Sequence, residues 1–214
     1  MRLRLHSYWR STAAYRVRIA LGLKGLPFDT ACVELRQGEH RREPYRTMNP
    51  QGLVPTLEAD GKVLTQSTAI LEWLEEVYPE PRLLPADPFG RAHVRATAAI
   101  VAADIHPLNN LRVLERLRRV ILASEPAVSD WIAHWIEEGF SAVEPRLATR
   151  GWAFGDQPGF ADCFIVPQVY SARRFGVDLK AYPRIQRIER MAAEHPAFVA
   201  AQPDRQIDAD RIVA

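Results

Sequence analysis

A chain of 214 residues is long enough for one large domain or two small ones with adequate cores. Its 28 basic and 26 acidic residues nearly cancel, which argues against nucleic acid as the main partner. Cys32 and Cys163 match neither a C-x-x-C nor a zinc spacing, so a reducing, cytoplasmic setting and no metal site are expected. The N-terminal Met-Arg-Leu-Arg-Leu-His is too charged for a signal peptide, and no apolar run reaches transmembrane length. A soluble intracellular protein with no membrane partner is the expectation.

Leu3 and Leu5 alternate with Arg2, Arg4 and His6, the period of a half-buried strand. A helix follows over 13–24, stopped by Gly25 and by Pro27 beyond it. Residues 28–35 read as a second strand, completing a β-α-β unit, and the polar stretch 37–49 as loop with a short helix. The runs 54–58 and 62–65 flank Ala59-Asp60-Gly61, a hairpin signal through Asp-Gly. Within the first run Pro55 lacks an N–H and marks an edge or bend, leaving the backbone of Val54 able to bind an extended peptide. Ser67 stands where an N-cap belongs, ahead of the periodic Ile70, Leu71, Leu74, Val77 and Tyr78. A free backbone edge beside a helix N-terminus suits a small peptide carrying a carboxylate. The order β-α-β-α-β-β-α is that of the thioredoxin fold.

Four prolines between 79 and 88 mark a linker, and Asp87-Pro88 supplies an N-cap and an N1 proline for a long helix. Helical patterns then cover 91–122, 129–147, 162–175 and 184–194. The chain divides into an α/β thioredoxin-like domain (1–81), a linker (82–90) and an all-α domain (91–214). His106-Pro107 falls midway along the first long helix, where proline kinks it and re-aims polar groups. Arg112, Arg116, Arg118 and Arg119 read as a solvated face, and Trp131 with Trp135 as packing. Asp162 begins a helix with Gly159 three residues before it, so the capping box is incomplete and its role structural. The polar tail 202–214 is expected to be partly disordered.

Ser11 falls at the start of the first helix, where backbone N–H groups and the positive dipole end favour a thiolate. The hydroxyl of Ser11, or of Thr12, either donates to such a sulfur or caps the helix; both readings stand. Arg10-Ser11-Thr12-Ala13-Ala14 holds no cysteine where thioredoxin-fold redox proteins carry their nucleophile, so the sulfur must come from a cofactor.

Several motifs carry a wider resemblance. They are Arg10-Ser11-Thr12 followed by Arg16-Val17-Arg18-Ile19-Ala20-Leu21, then Asn49-Pro50-Gln51 leading into Val54-Pro55-Thr56-Leu57. Gln66-Ser67-x-Ala69-Ile70, Ile105-His106-Pro107-Leu108-Asn109-Asn110 and Pro167-Gln168-Val169 complete the set. Over essentially its whole length the chain resembles the zeta-class glutathione transferases, the family that contains the maleylacetoacetate and maleylpyruvate isomerases.

The resemblance implies the glutathione transferase fold, glutathione as cofactor and a homodimer packing the first domain of one subunit on the helical domain of the other. It implies cis-trans isomerisation of maleylacetoacetate, a dicarboxylate of tyrosine and phenylalanine breakdown, by thiolate addition, bond rotation and elimination. Residue by residue, it makes Ser11, Thr12 and Arg10 catalytic. Glutathione would be held by Ser11, His40, Val54, Gln66, Ser67 and His106, with Pro55 cis, and the substrate by Arg10, His106, Asn110 and Arg174. The plainer alternatives are a solvated loop residue for His40, helix-interior surface for Asn110 and an ion pair with Asp178 for Arg174. Ala13 departs from the cysteine usual in the family. Leu111 stands where the maleylpyruvate branch often has arginine, which favours maleylacetoacetate. A transferase conjugating glutathione to small haloacids and a non-catalytic binding module are the readings from other classes.

Overall fold

In the computed structural model, which describes residues 1–209, four strands form one sheet in the order β2-β1-β3-β4. β1 (Leu3–Ser7) is followed by α1 (Thr12–Leu23) and by β2 (Asp29–Cys32), which pairs parallel with β1. After a 3₁₀ turn at Glu39–Arg41 and the short α2 (Tyr45–Met48) come β3 (Thr56–Ala59), β4 (Lys62–Thr65) and α3 (Ser67–Val77). β3 is antiparallel to both neighbours, with Leu5 opposite Leu57 and Leu57 opposite Leu64. This is the thioredoxin-like arrangement expected from the pattern, although β2 is shorter than the stretch 28–35. Asp60 and Gly61 both take positive φ, 46° and 79°, as a tight two-residue hairpin requires.

α1 ends at Lys24, with Gly25 at φ 63° beyond it. The Lys24 ammonium is buried and donates to Glu75 Oε2 at 2.6 Å and to the carbonyls of Tyr78 and Pro81 at 2.6 and 2.9 Å. An ammonium has three protons, and each finds an acceptor. Glu75 also accepts from the Leu83 N–H at 3.0 Å, so one buried ion pair ties α1, α3 and the chain beyond α3 together.

Two compact units result. One comprises Met1–Leu83 and the segment beginning at Ala193; the other is Leu84–Ala192. The all-α region expected over 91–214 is therefore not one body. His195 and Pro196 start an additional helix, α9 (Pro196–Ala201), which packs on α1 and buries Phe198 and Ala201. Nor is the described part of the tail loose. Residues 203–205 form a 3₁₀ turn, and Gln206 Nε2 donates to the carbonyls of Ala200 and Gln202. The rest of the tail, 210–214, lies outside the described residues.

In the helical unit α4 (Pro88–Ala99) starts as expected, Asp87 Oδ1 accepting from the Gly90 N–H at 2.6 Å. The helix expected over 91–122 with a kink at His106-Pro107 is broken outright into two. The chain widens into a π turn over Ile100–Ile105, leaves the helix at His106 and restarts as α5 (Leu111–Arg119). His106 N–H reaches back five residues to Val101 O, and Pro107, with no N–H, cannot continue the ladder. Gly139 of α6 (Glu125–Val143) meets this π turn so closely that a Cβ there would clash with the Ile105 side chain. α6 begins at its cap Ser124, earlier than the expected 129. α7 (Asp162–Arg174) and α8 (Pro183–Glu194) follow. Among the described residues no helix is long and apolar enough to cross a membrane.

Asp162 is the half of a capping box that glycine leaves in place. Its carboxylate accepts from the Gly159 N–H at 2.9 Å and the Ala153 N–H at 3.0 Å while almost fully buried. Burial pushes this carboxyl up to about 7, against the pull of those N–H groups and of the Arg187 charge. Between about pH 4 and pH 7 the folded protein thus holds a proton that the unfolded chain releases. The stability this gives is complete at the acid end and is lost as pH rises through the folded value. Urea unfolding from about pH 4 to pH 8 should show Asp162→Asn losing less stability with rising pH than the parent chain. Identical pH dependence in the two proteins would contradict the assignment.

Candidate active site

The loop 8–11 between β1 and α1 is held from several sides. Its own turn is closed by the Ser11 N–H donating to Tyr8 O at 2.9 Å. The buried Arg18 of α1 donates from Nη1 to Ser7 Oγ, from Nη2 to Trp9 O and from Nε to Ala201 O, each at 3.0 Å. The Trp9 N–H donates to Asp208 Oδ2 at 2.9 Å, so both polar groups of that peptide residue are fixed. Arg10 lies with its guanidinium 4.2 Å above the Trp9 ring. Ser11 is the N-cap of α1, its Oγ accepting from the Ala14 N–H at 3.1 Å, and Thr12 is the first helical residue. A hydroxyl that accepts one hydrogen bond keeps its own proton to donate. The capping and donating readings of Ser11 are therefore compatible.

A second feature is the chain leading into β3. The β1–β3 ladder begins at Thr56, so Val54 and the cis Val54–Pro55 peptide lie just outside it. Tyr45 Oη donates to Leu53 O at 2.6 Å, and Asn49 Nδ2 donates to the same carbonyl at 2.8 Å. Asn49 also reaches Thr56 Oγ1 at 3.1 Å, so two buried side chains fix both ends of the Val54 segment. Burial raises the Tyr45 phenol above its ordinary value, which keeps it a donor. His40 is not the solvated loop residue of the plainer reading: it is buried in the 3₁₀ turn beside this segment.

The start of α3 differs by one residue from the expectation. Gln66 is the N-cap, with φ 68° and ψ 115°, and its amide donates to Gln51 Oε1 at 2.6 Å instead of capping. A non-glycine residue held at positive φ costs about 1–3 kcal/mol and is tolerated where the surroundings impose it. Ser67 is the first helical residue, buried, and its Oγ accepts from Arg16 Nη1 at 3.3 Å.

The remaining candidates belong to the helical unit. His106 closes the π turn, and Asn110 is the N-cap of α5, accepting from the Arg112 N–H at 3.2 Å. Asn110 is thus not helix-interior surface. The turn carrying both is anchored to α6 by Trp131 Nε1 donating to Leu108 O at 3.0 Å and by Asn109 Nδ2 donating to Ile132 O at 3.3 Å. Trp131, expected as packing alone, is also a tether. Arg174 is the last residue of α7, its guanidinium 4.8 Å over the Phe175 ring, while Asp178 meets Lys180 Nζ at 3.7 Å.

Residue-by-residue reading misses the supports of these features: Arg16, Arg18, Tyr45 and Asp208. Arg16 and Arg18 do leave a signal, two cations in the apolar run of α1, because charge is buried only where it is held. Asp208, 199 residues from its partner, leaves none.

The Cys32 thiol is pushed up by burial and by the charges of Asp208 and Glu39, and Cys163 is buried. Both effects hold the Cys32 thiol protonated, away from the form that acts as a nucleophile. The donor set of the first unit comprises a hydroxyl at the N-terminus of α1, an extended backbone at Val54 and a hydroxyl at the N-terminus of α3. That chemistry fits a thiol-bearing peptide with a carboxylate at one end.

Comparison with known proteins points the same way. The family model of the glutathione S-transferase N-terminal domain matches residues 10–77, and that of the C-terminal domain matches 109–190. A maleylacetoacetate isomerase of Pseudomonas aeruginosa is 52% identical over 96% of this chain and 98% of its own. A maleylpyruvate isomerase described as a bacterial zeta-class glutathione S-transferase superposes with a TM-score of 0.94 at 50% identity, covering 96% of this chain and 99% of its own. A maleylacetoacetate isomerase from Anaeromyxobacter dehalogenans, solved with dicarboxyethyl glutathione and citrate in the active site, superposes with a TM-score of 0.86 at 44% identity. That match covers 97% of this chain and 94% of the other.

The grip of Asp208 on the loop is open to test. In Asp208→Ala, amide exchange at Trp9, Arg10 and Ser11 should accelerate by about tenfold or more, as expected when a charge-assisted bond of about 1.5–3 kcal/mol is removed. Amides of α7 should keep their rates. Unchanged exchange at all three loop positions would show that Asp208 does not hold the loop.

Proposed function

The chain belongs to the zeta class of the glutathione S-transferase family, and on that ground we propose that it is a glutathione-dependent cis-trans isomerase of maleylacetoacetate. The observation that carries this reading is Ser11: an N-cap hydroxyl with its proton left to donate, at a helix start with no cysteine of its own. When bound, glutathione supplies the thiolate that adds to the activated double bond and leaves again once rotation has produced the trans isomer.

The residues supply the setting. Ser11 donates to the sulfur, and the positive end of α1 together with Arg10 favours its ionised form. Thr12 supports the same helix start. Val54 offers its backbone N–H and C=O to the cysteinyl unit. Gln66 and Ser67, with the first-turn N–H groups of α3, take the γ-glutamyl carboxylate, and His40 the glycine carboxylate. On the strength of the family resemblance, Arg10, His106, Asn110 and Arg174 are assigned the substrate carboxylates and the charge that develops on the substrate carbonyl oxygen. His106 stands equally near the cofactor role in that resemblance. The same reading takes the protein as a cytoplasmic homodimer, in keeping with its family and its two free cysteines.

Maleylpyruvate is the second substrate reading, because a maleylpyruvate isomerase is about as similar to this chain as a maleylacetoacetate isomerase. Leu111, directly after the α5 cap, favours the longer substrate by withholding a guanidinium from that position.

Isomerisation of maleylacetone and of maleylpyruvate, each with and without glutathione, tests the proposal. Glutathione-dependent loss of the cis compound with glutathione recovered is expected, and the ratio of the two rates names the substrate. Glutathione consumed one for one with a chloro-acid, and no isomerisation, would replace the isomerase by a conjugating transferase. Ser11→Ala should lower turnover by about tenfold or more, while Ser11→Thr, which keeps both cap and donor, should retain most of it. A near-normal rate for the alanine variant would remove Ser11 from the mechanism.

A further inference from the structure

α1 carries two buried arginines two positions apart, and a separation of about 200° around the helix sends them in different directions. Arg18 serves the 8–11 loop. Arg16, only 2% exposed, faces α3 and donates from Nη1 to Ser67 Oγ. Burial draws its guanidinium down to about 9, so at neutral pH the group is still a cation.

The direction of that hydrogen bond matters. A serine hydroxyl has one proton and two lone pairs, whereas a guanidinium can only donate. The Arg16 bond therefore occupies a lone pair of Ser67 and leaves the hydroxyl proton for another acceptor. A charged donor on one side of an O–H also strengthens its donation on the other. Ser67 begins an 11-residue helix, and the preceding Gln66 turns the chain sharply at positive φ, its amide held by Gln51. The hydroxyl, the first-turn N–H groups and the cation behind them share one sign of field.

We propose that Arg16 is a positioning residue for the γ-glutamyl carboxylate: by donating to Ser67 Oγ it commits that hydroxyl to donate to the ligand. This rests on the assignment of Ser67 to that carboxylate in the preceding subsection. Arg16 itself need not touch the ligand. Its effect is carried by Ser67, which distinguishes it from a residue that merely holds α1 against α3.

The test uses calorimetric dissociation constants for two ligands, glutathione and an analogue whose γ-glutamyl α-carboxylate is replaced by hydrogen. The wild-type chain should bind glutathione at least about tenfold more tightly than the analogue, as expected for loss of a charge-assisted contact. In Arg16→Met that preference should shrink by about tenfold or more, mostly through weaker glutathione binding, with analogue binding changed little. Arg16→Lys, which keeps a donor cation, should restore part of the preference and serves as the readout if the methionine variant does not fold. In a Ser67→Ala background the Arg16 substitutions should change the preference little further. If wild type binds the two ligands equally, the carboxylate assignment of Ser67 fails. If wild type discriminates but the Arg16 variants keep the full preference, or weaken both ligands alike, Arg16 is structural only and the proposal is overturned.

Discussion

The shape of the loop that presents Ser11 depends on one buried guanidinium, that of Arg18. A cation is expensive to place inside a protein, and it is tolerated here because its bonds to Ser7, Trp9 and Ala201 replace water. Those bonds join the end of β1, the loop after it and α9. The loop must present a hydroxyl at a helix start without collapsing onto the helix. The turn's own backbone bond, from the Ser11 N–H to Tyr8 O, would be readily exchanged for water without support from side chains. Arg18 from beneath and Asp208 from the returning chain fix the Trp9 peptide residue, and Ser11 follows two residues later.

The same construction recurs at the other two ligand-facing features. Tyr45 and Asn49 converge on Leu53 O, so the extended stretch at Val54 is held by side chains where the ladder has not yet begun. At α3 the strained Gln66 and the buried Arg16 set the position and the polarity of Ser67. At Ser67 the buried group bonds to the ligand-facing hydroxyl itself, whereas at Ser11 and Val54 the buried groups hold carbonyls one or two residues before it. Preorganisation of this kind lets donors meet developing charge without reorienting.

Local rules explain why so much of this could be read in advance. Ser11 as N-cap, Gly25 after α1, Asp60-Gly61 in the hairpin and Asp87-Pro88 before α4 are all set by residues within a few positions of one another. The strand and helix order follows from the same local signals. What escaped them is long-range or collective. The break between α4 and α5 needs the π turn at 100–105, whose residues Ile-Val-Ala-Ala-Asp-Ile have an ordinary helical composition. Pro107 follows just after it, and Gly139 across the unit leaves the space that Ile105 occupies. Gln66 taking the cap from Ser67 reflects a strained backbone that no propensity predicts. The return of α9 to α1 depends on Phe198 finding apolar cover far away in sequence, and Asp208 finds Trp9 in the same way.

For a glutathione-dependent reaction the decisive property is the state of the sulfur, and here the start of α1 sets it. The most direct measurement is the pH titration of the ultraviolet thiolate absorbance of glutathione bound to the protein. An apparent pKa at least about one unit below the ordinary thiol value of about 8.5 is expected. A bound thiol that titrates at its ordinary value would contradict the claim that the Ser11 loop builds a thiolate site.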